Sequence, residues 1–260
     1  MTATLTLDTR RRRVRAAAGL AIGSLAAAAW LTIWLWQSSA YGRYLDHDGL
    51  ADSGLDGGPL VAVFLAGWIL MLSAMMLPTT WSLVSLFTGV VARRPDRIAV
   101  LSSLVAGYLA AWTAAAAVAF IGDAALHGLA ARVTWIGDHP WAVPAAVVAL
   151  AGAYQFSALK NRCLDKCRSP RMMIFASWRG IRPVAEAFSL GARHGRFCIG
   201  CCWALMALMF AVGLGSLGWM LALGAVMAIE KNLAWGARLT APVGAVLLLA
   251  AAAVAGAGMT

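Results

Sequence analysis

Charged side chains are scarce in this sequence. They make up 12% of its 260 residues, whereas hydrophobic residues make up 62%. A soluble domain of this length needs more charge to keep its surface wetted, so the apolar excess must face lipid. The shortage of charge therefore excludes a soluble globular protein and predicts a single integral membrane domain over residues 1–260.

The long apolar runs also lack the alternation of apolar and polar residues that membrane β-strands show. Because lipid cannot satisfy a bare backbone, these runs must be helices, and each needs about 20 apolar residues to cross. We predict an all-α, polytopic membrane helix bundle of about seven transmembrane helices, or six if the short sixth segment does not cross. The predicted spans are Ala16–Trp36, Leu60–Val90, Ile98–Ile121, Trp141–Leu159, Phe197–Leu214, Leu217–Ile229 and Leu239–Ala255.

Sequence motifs for energised transport are absent as well. Neither a Walker loop nor a phosphorylated-aspartate motif accompanies the predicted spans, so an ATP-driven pump would need another subunit. The sequence shows no internal repeat, which argues against a large secondary transporter. We predict a protein that handles a ligand rather than an enzyme.

Basic residues are abundant by comparison and lie beside the predicted spans. With the N-terminus inside, all of the 21 Lys and Arg residues except Arg43 and Arg132 fall on the cytoplasmic side. This predicts a multi-pass protein of a bacterial-type inner membrane, with a basic cytoplasmic N-terminus (1–15) and a cytoplasmic Cys- and Arg-rich loop (160–196). Nucleic-acid binding is excluded, because these residues flank spans and form no aromatic-studded soluble surface.

All five cysteines lie in one stretch of the chain. Cys163 and Cys167 are four residues apart, so on a helix that ends before Pro170 they share one face. Two converging thiolates suit a soft metal, and the surrounding Lys and Arg residues favour thiolates. Two incidental cysteines in a basic loop explain this pair equally well.

A second group of sulfur-containing residues opens the predicted fifth span. The spacing of Cys198, Cys201, Cys202, Met206 and Met209 places them on one helical face. Thiolate and thioether ligands favour Cu(I), and zinc is the second choice because methionine serves zinc poorly. Nearby His194 would add a nitrogen ligand. Ordinary core packing is the alternative for the methionines.

The second span contains a third sulfur-rich element. Met75 and Met76 precede Pro78, which leaves the carbonyl of Ala74 without its usual donor and predicts a kink. Thioethers at a bent helix would pass Cu(I) through the membrane. Core packing explains any one of these methionines as well.

Several polar residues lie at the ends of predicted spans. We expect Gln155 to form an interhelical hydrogen bond and Lys160 to extend its amine to the interface. Glu230 and Lys231 are expected to pair with each other at the interface. A proton or metal role for these two residues is the weaker alternative.

These segments together resemble one known family. The strings that carry the resemblance are Ala74-Met-Met-Leu-Pro78, Tyr154-Gln155 followed by Lys160, Cys163-Leu-Asp-Lys-Cys167-Arg-Ser-Pro170, and Cys198-Ile-Gly-Cys-Cys-Trp203 with Met206. From about Met71 to Lys231 the chain is similar to the DUF2182 family of predicted metal-binding integral membrane proteins, also called PpoB2-like. The resemblance implies a membrane protein that supplies copper to a copper enzyme such as a polyphenol oxidase.

The leading hypothesis is therefore Cu(I) binding at the cytoplasmic face and delivery onward. Its partners would be the lipid bilayer and a copper-dependent client enzyme or a metal-donor protein. The five cysteines would be the main ligands, with His194 and Met206 auxiliary. Met75, Met76, Met206 and Met209 would serve onward movement.

Two other functions compete with copper handling. A membrane thiol-disulfide oxidoreductase would use Cys198 and Cys201, which form a Cys-x-x-Cys motif at a helix start. The reducing cytoplasm and the three further cysteines argue against that function. A structural assembly subunit with merely packed cysteines is the third candidate.

Overall fold

The computed structural model of the protein describes residues 2–45, 57–130, 132–212 and 216–259, and all regular secondary structure within them is helical. Within these ranges eleven α-helices follow one another, which confirms the all-α prediction for this part of the chain. They are α1 (Thr2–Gln37), α2 (Gly57–Met71), α3 (Trp81–Val91), α4 (Arg97–Ala130), α5 (Thr134–Asp138), α6 (Ala142–Gln155), α7 (Ala158–Arg168), α8 (Pro170–Ser177), α9 (Pro183–Val212), α10 (Leu217–Asn232) and α11 (Thr240–Met259).

Several helical segments are long and apolar enough to cross a membrane. Among the described residues there are four, or five if the bent pair α6 and α7 counts as one broken span. The four are Arg12–Gln37, Gly57–Met76, Arg97–Gly122 and Gly236–Gly258. They match the predicted first, third and seventh spans and the first part of the predicted second span, Leu60–Val90, which ends as a candidate span at Met76. They indicate a multi-pass membrane protein. The predicted total of seven is not shown: α10 has only 16 residues, and the predicted fifth span, within α9, runs past the described residues.

Glycines bring α4 and α9 into close contact. A Cβ at Gly107 would overlap the carbonyl of Phe188, and a Cβ at Gly191 would overlap the carbonyl of Leu104. Gly191 and Gly195 are one turn apart, the spacing of small residues that lets membrane helices approach closely. This contact brings the cysteine-bearing face of α9 within reach of α4.

The predicted kink in the second span is a break in the α-helix. Pro78 has no N–H to donate, so a regular helix cannot run through it. A π-turn at Leu72–Met76 precedes it, closed by the N–H of Leu77 donating to the carbonyl of Leu72 at 2.9 Å. A short 3-10 turn, Pro78–Thr80, follows. Such π-turns insert one extra residue and re-aim neighbouring side chains, and here both Met75 and Met76 are buried.

A second break separates α6 from α7. The two helices are bent by 62°, and Ser157 begins α7 by accepting a hydrogen bond from the N–H of Lys160 at 3.1 Å. As predicted, α7 ends before Pro170, and Pro170 is the first residue of α8. The bend folds the short, cysteine-bearing α7 back against α9 and α10.

Most of the buried sulfur lies in the larger of two hydrophobic clusters. This cluster joins residues of α1, α2, the π-turn, α4, α6, α7, α9 and α10 and contains four of the five cysteines among its buried members. The fifth, Cys163, packs against it from a partly buried position. The fold therefore gathers the chain's thiols at one place.

Candidate metal centre

The predicted sulfur stripe of α9 is confirmed as a buried helix face. Its residues are spaced by three or four positions, so a single helix presents them side by side. Six side chains on this face are each at most 3% exposed, namely those of His194, Cys198, Cys201, Cys202, Met206 and Met209. Its cysteines and methionines pack into the larger hydrophobic cluster, to which the π-turn, α4, α7 and α10 also contribute.

The two cysteine groups meet in space. A Cβ added to Gly200 would lie 2.5 Å from the sulfur of Cys163, so the absence of a side chain there makes room for this thiol. The sulfur of Cys167 lies 4.0 Å from Nε2 of His194. Cys167, Cys198, Cys201 and Cys202 are buried in one hydrophobic cluster, and Cys163 packs against it. The five thiols therefore form one cluster, which we call the thiol cluster.

The amine of Lys231 lies among the sulfur atoms of this cluster. Its Nζ is 3.1 Å from Sγ of Cys198 and 3.7 Å from Sγ of Cys202. It also lies 3.5 Å from Sδ of Met76. The side chain comes from the end of α10 and is buried.

A buried ammonium group needs a counter-charge. No described carboxylate forms an ion pair with Lys231 within the ranges given above. The acidic groups nearest to its amine are the thiols of Cys198 and Cys202. A thiolate at Cys198 would therefore balance the charge of Lys231.

Tyr108 and Met76 close the other side of the thiol cluster. The Tyr108 hydroxyl lies 3.2 Å from Sγ of Cys198 and donates to the carbonyl of Met76 at 3.4 Å. The sulfur of Met76 is 4.0 Å from Sγ of Cys202. The π-turn of the second span is thus tied to α4 and α9 at the point where Met76 joins the cluster.

Hydrogen bonds within α9 set the directions of its thiols. Cys201 donates to the carbonyl of Cys198 at 3.1 Å, and Cys202 donates to the same carbonyl at 2.9 Å. Back-bonding to the preceding turn holds both side chains against the helix. The sulfur of Cys202 consequently stays within 4.0 Å of the sulfur of Met76 in the π-turn.

A buried ion pair supports the thiol cluster. Lys160 donates to Oε2 of Glu230 at 2.8 Å, with side-chain exposures of 0% and 2%. Two predictions are therefore wrong: Lys160 does not reach the interface, and Glu230 pairs with it rather than with Lys231. Consecutive helical residues point about 100° apart, so Glu230 and Lys231 face different neighbours.

The end of α10 is held by Arg168 of α7. Its guanidinium donates to the carbonyls of Glu230 and Ala234, the latter at 2.9 Å. These carbonyls lie at and just beyond the end of α10, where the helix itself supplies no donors. Arg168 follows Cys167 directly, so this contact also fixes the position of that thiol.

Other sequence-predicted residues lie further from the thiols. Met75 directs its methyl group toward α10, 3.2 Å from the position a Cβ would take on Gly224. Met206 is buried in the same core, beyond the cysteines along α9. Gln155 is buried, but its side-chain amide has no hydrogen-bond partner among the described residues, so the predicted interhelical bond is not formed there.

The spacing of the sulfurs decides what metal the cluster suits. A soft metal held about 2.3 Å from each sulfur bridges two sulfurs up to about 4.6 Å apart, and Cys202 and Met76 are 4.0 Å apart. Within the described ranges no group of three or more His, Cys, Asp or Glu side chains is arranged to hold an ion. The arrangement thus suits a metal that accepts thioether and few ligands, as Cu(I) does, better than zinc.

Buried thiols and a thioether, gathered inside an apolar helical bundle, define a membrane protein equipped to handle soft metal ions. The chain belongs to the PpoB2 copper chaperone family, whose sequence model matches residues 65–254. This confirms the resemblance found in the sequence, and the family description indicates a role in copper supply rather than catalysis. The matched range includes every residue of the thiol cluster. Neither the curated proteins nor the solved structures contain a match to this chain.

Proposed function

We propose that this protein binds Cu(I) at the thiol cluster and delivers it to a copper-dependent enzyme. The meeting of Cys198, Cys202 and Met76 around the Lys231 amine carries the proposal. Two thiolates and a thioether are soft ligands, which select Cu(I). The metal is cargo, so the site must both bind it and release it.

The proposed ligands form two adjoining groups. Cys167 and His194, with sulfur and Nε2 4.0 Å apart, form one group. Cys198, Cys201, Cys202 and Met76 form the other, and the sulfur of Cys163 adjoins it at Gly200. Copper would pass from one to the other by exchange of ligands. Met75, Met206 and Met209, buried in the same core, would serve onward movement.

The proposed membrane arrangement follows from the distribution of basic residues. Seven spans with a cytoplasmic N-terminus place the loop 160–196 in the cytoplasm. Cys163, half-buried where the other four thiols are buried, is then the first thiol that copper meets. The thiol cluster receives its metal from a cytoplasmic donor in this arrangement.

Metal analysis of the purified protein tests the binding step. The protein is purified in detergent under reducing conditions, loaded with Cu(I) and titrated against a Cu(I)-specific chelator. We expect a double variant, Cys198→Ser with Cys202→Ser, to bind copper at least about tenfold more weakly. Met173→Leu is the matched control, because Met173 is buried in the other hydrophobic cluster.

The outcome that contradicts the proposal is equal, weak copper retention by the wild type and the double variant. If Cys198 and Cys201 then also cycle between dithiol and disulfide, the oxidoreductase function replaces it. Delivery is tested in vesicles that enclose the chelator. We expect wild-type protein in the vesicle membrane to let copper added outside reach the enclosed chelator. We expect the variant Met76→Leu to slow that transfer.

A further inference from the structure

We propose that Lys231 makes the thiol cluster selective for a monovalent soft cation over a divalent one. This inference rests on the proposed Cu(I) function and assigns its selectivity to one residue. The Lys231 amine lies 3.1 Å from the Cys198 sulfur and 3.7 Å from the Cys202 sulfur. An ammonium at these distances is part of the charge balance of any ion that the two sulfurs hold.

The charge count favours Cu(I). Each thiol that becomes a ligand gives up its proton to solvent. Two thiolates, one Cu(I) ion and the ammonium of Lys231 then sum to zero. With Zn(II) in the same place the sum is one positive charge, and an unbalanced buried charge is strongly unfavourable. Without Lys231 the order reverses, because two thiolates neutralise Zn(II) and leave the Cu(I) complex anionic.

The other charged groups near the cluster do not alter this count. Lys160 and Glu230 form a neutral pair of their own at 2.8 Å. The guanidinium of Arg168 is partly exposed and donates to two backbone carbonyls. Lys231 is therefore the buried cation that enters the charge balance of an ion held by the thiolates of Cys198 and Cys202.

Competition titrations of Cu(I) and Zn(II) test the inference on the purified, reduced full-length protein. The variant Lys231→Leu removes the charge without adding a metal ligand. Lys231→Met is avoided because its thioether would be a new ligand. We expect the ratio of the Zn(II) to the Cu(I) dissociation constant to fall at least about tenfold. Lys231→Arg keeps the charge, and we expect it to keep the ratio within about threefold of the wild type.

A second neutral variant, Lys231→Gln, keeps a hydrogen-bond donor and decides the matter if Lys231→Leu does not fold. An unchanged ratio in the folded neutral variant overturns the role of Lys231 while leaving the proposed function intact. A wild type that binds no Cu(I) overturns the proposed function itself. A fall of the ratio in Lys231→Arg equal to that in the neutral variants also overturns the inference, because charge would then not be the cause.

Discussion

Lys160 and Glu230 form an ion pair of 2.8 Å with both side chains out of contact with solvent. One partner comes from α7 and the other from α10, so the pair joins the helix that carries Cys163 and Cys167 to the helix that carries Lys231. Arg168 adds a second link between the same helices through backbone carbonyls. Together these contacts hold three of the residues around the thiol cluster in register.

Glu230→Gln is expected to destabilise the protein. The change leaves the Lys160 ammonium buried without a counter-charge, and removing one partner of a buried pair costs about 3–5 kcal/mol. Denaturation in detergent, followed by circular dichroism, measures the free energy of unfolding.

The matched control replaces both partners, as Lys160→Met with Glu230→Leu. A buried pair exchanged for apolar residues of similar volume is often neutral in stability, so the double variant should recover most of the loss. A double variant less stable than Glu230→Gln would contradict this account of the pair.

Gly191→Ala is expected to separate α4 from α9. Its new methyl group would overlap the backbone carbonyl of Leu104, which cannot rotate away as a side chain does. Overpacking of this kind costs about 1–3 kcal/mol. Thermal unfolding in detergent measures the loss, and Cu(I) affinity should fall with it because Tyr108 and Cys198 lie across the same contact.

Gly122→Ala is the matched control for this substitution. Gly122 also lies within α4, and no atom of the described part of the chain lies within 4 Å of the position of its Cβ. Alanine in a helix is about 0.5–1 kcal/mol more favourable than glycine, so this variant should be as stable as the wild type or slightly more. An equal loss of stability in Gly191→Ala and Gly122→Ala would contradict the proposed role of close packing between α4 and α9.

Glu186→Gln is expected to loosen the turn that leads into α9. The Glu186 carboxylate accepts hydrogen bonds from the backbone N–H groups of Arg182, Arg179, Gly180 and Ile181. These donors, that of Arg182 above all, lower the pKa of Glu186 from 4.5 to about 2. Gly180 allows the turn by adopting a φ of +78°.

The sign of the pH dependence follows from the lowered pKa. The stabilisation by Glu186 is present above pH 4.5, the ordinary value, and is lost as the pH falls toward 2. Amide hydrogen exchange of residues 179–182 should therefore be faster in Glu186→Gln than in the wild type at pH 7, with the difference vanishing near pH 2. Asp165→Asn is the control, because it also removes an exposed carboxylate. It should leave the exchange of these amides unchanged at every pH.

Alkylation of the native protein should distinguish Cys163 from the other cysteines. Cys163 is half-buried, whereas Cys167, Cys198, Cys201 and Cys202 are buried. N-ethylmaleimide in detergent is expected to modify Cys163 first, as peptide mass mapping over time would show. Simultaneous modification of all five thiols would mean that the thiol cluster is open in solution.

Local pattern was sufficient to predict the faces of single helices. The spacing from Cys198 to Met209 predicted the buried stripe, and Pro170 predicted the end of α7. Both features depend on neighbours within a turn or two of the chain. The convergence of Cys167 with His194 was beyond such reasoning, because it depends on the 62° bend between α6 and α7.

Lys231 shows most clearly what the sequence could not reveal. Its contact with Met76 joins residues 155 positions apart, and no local periodicity encodes such a meeting. Because Glu230 precedes it in the sequence, Lys231 was predicted to form an ion pair with Glu230 at the membrane interface. In the structure Glu230 pairs with Lys160. The amine of Lys231 lies beside the Cys198 thiol instead.

The order in which the chain is made gives the position of Lys231 a further meaning. The ribosome completes all five cysteines before residue 231, so a nascent chain carries its thiols for a time without the ammonium that faces them in the finished fold. Helices that emerge early can pack before later ones arrive. The last part of the chain to reach the thiol cluster is thus the part that balances its charge, and the finished site exists only once α10 has joined the earlier helices.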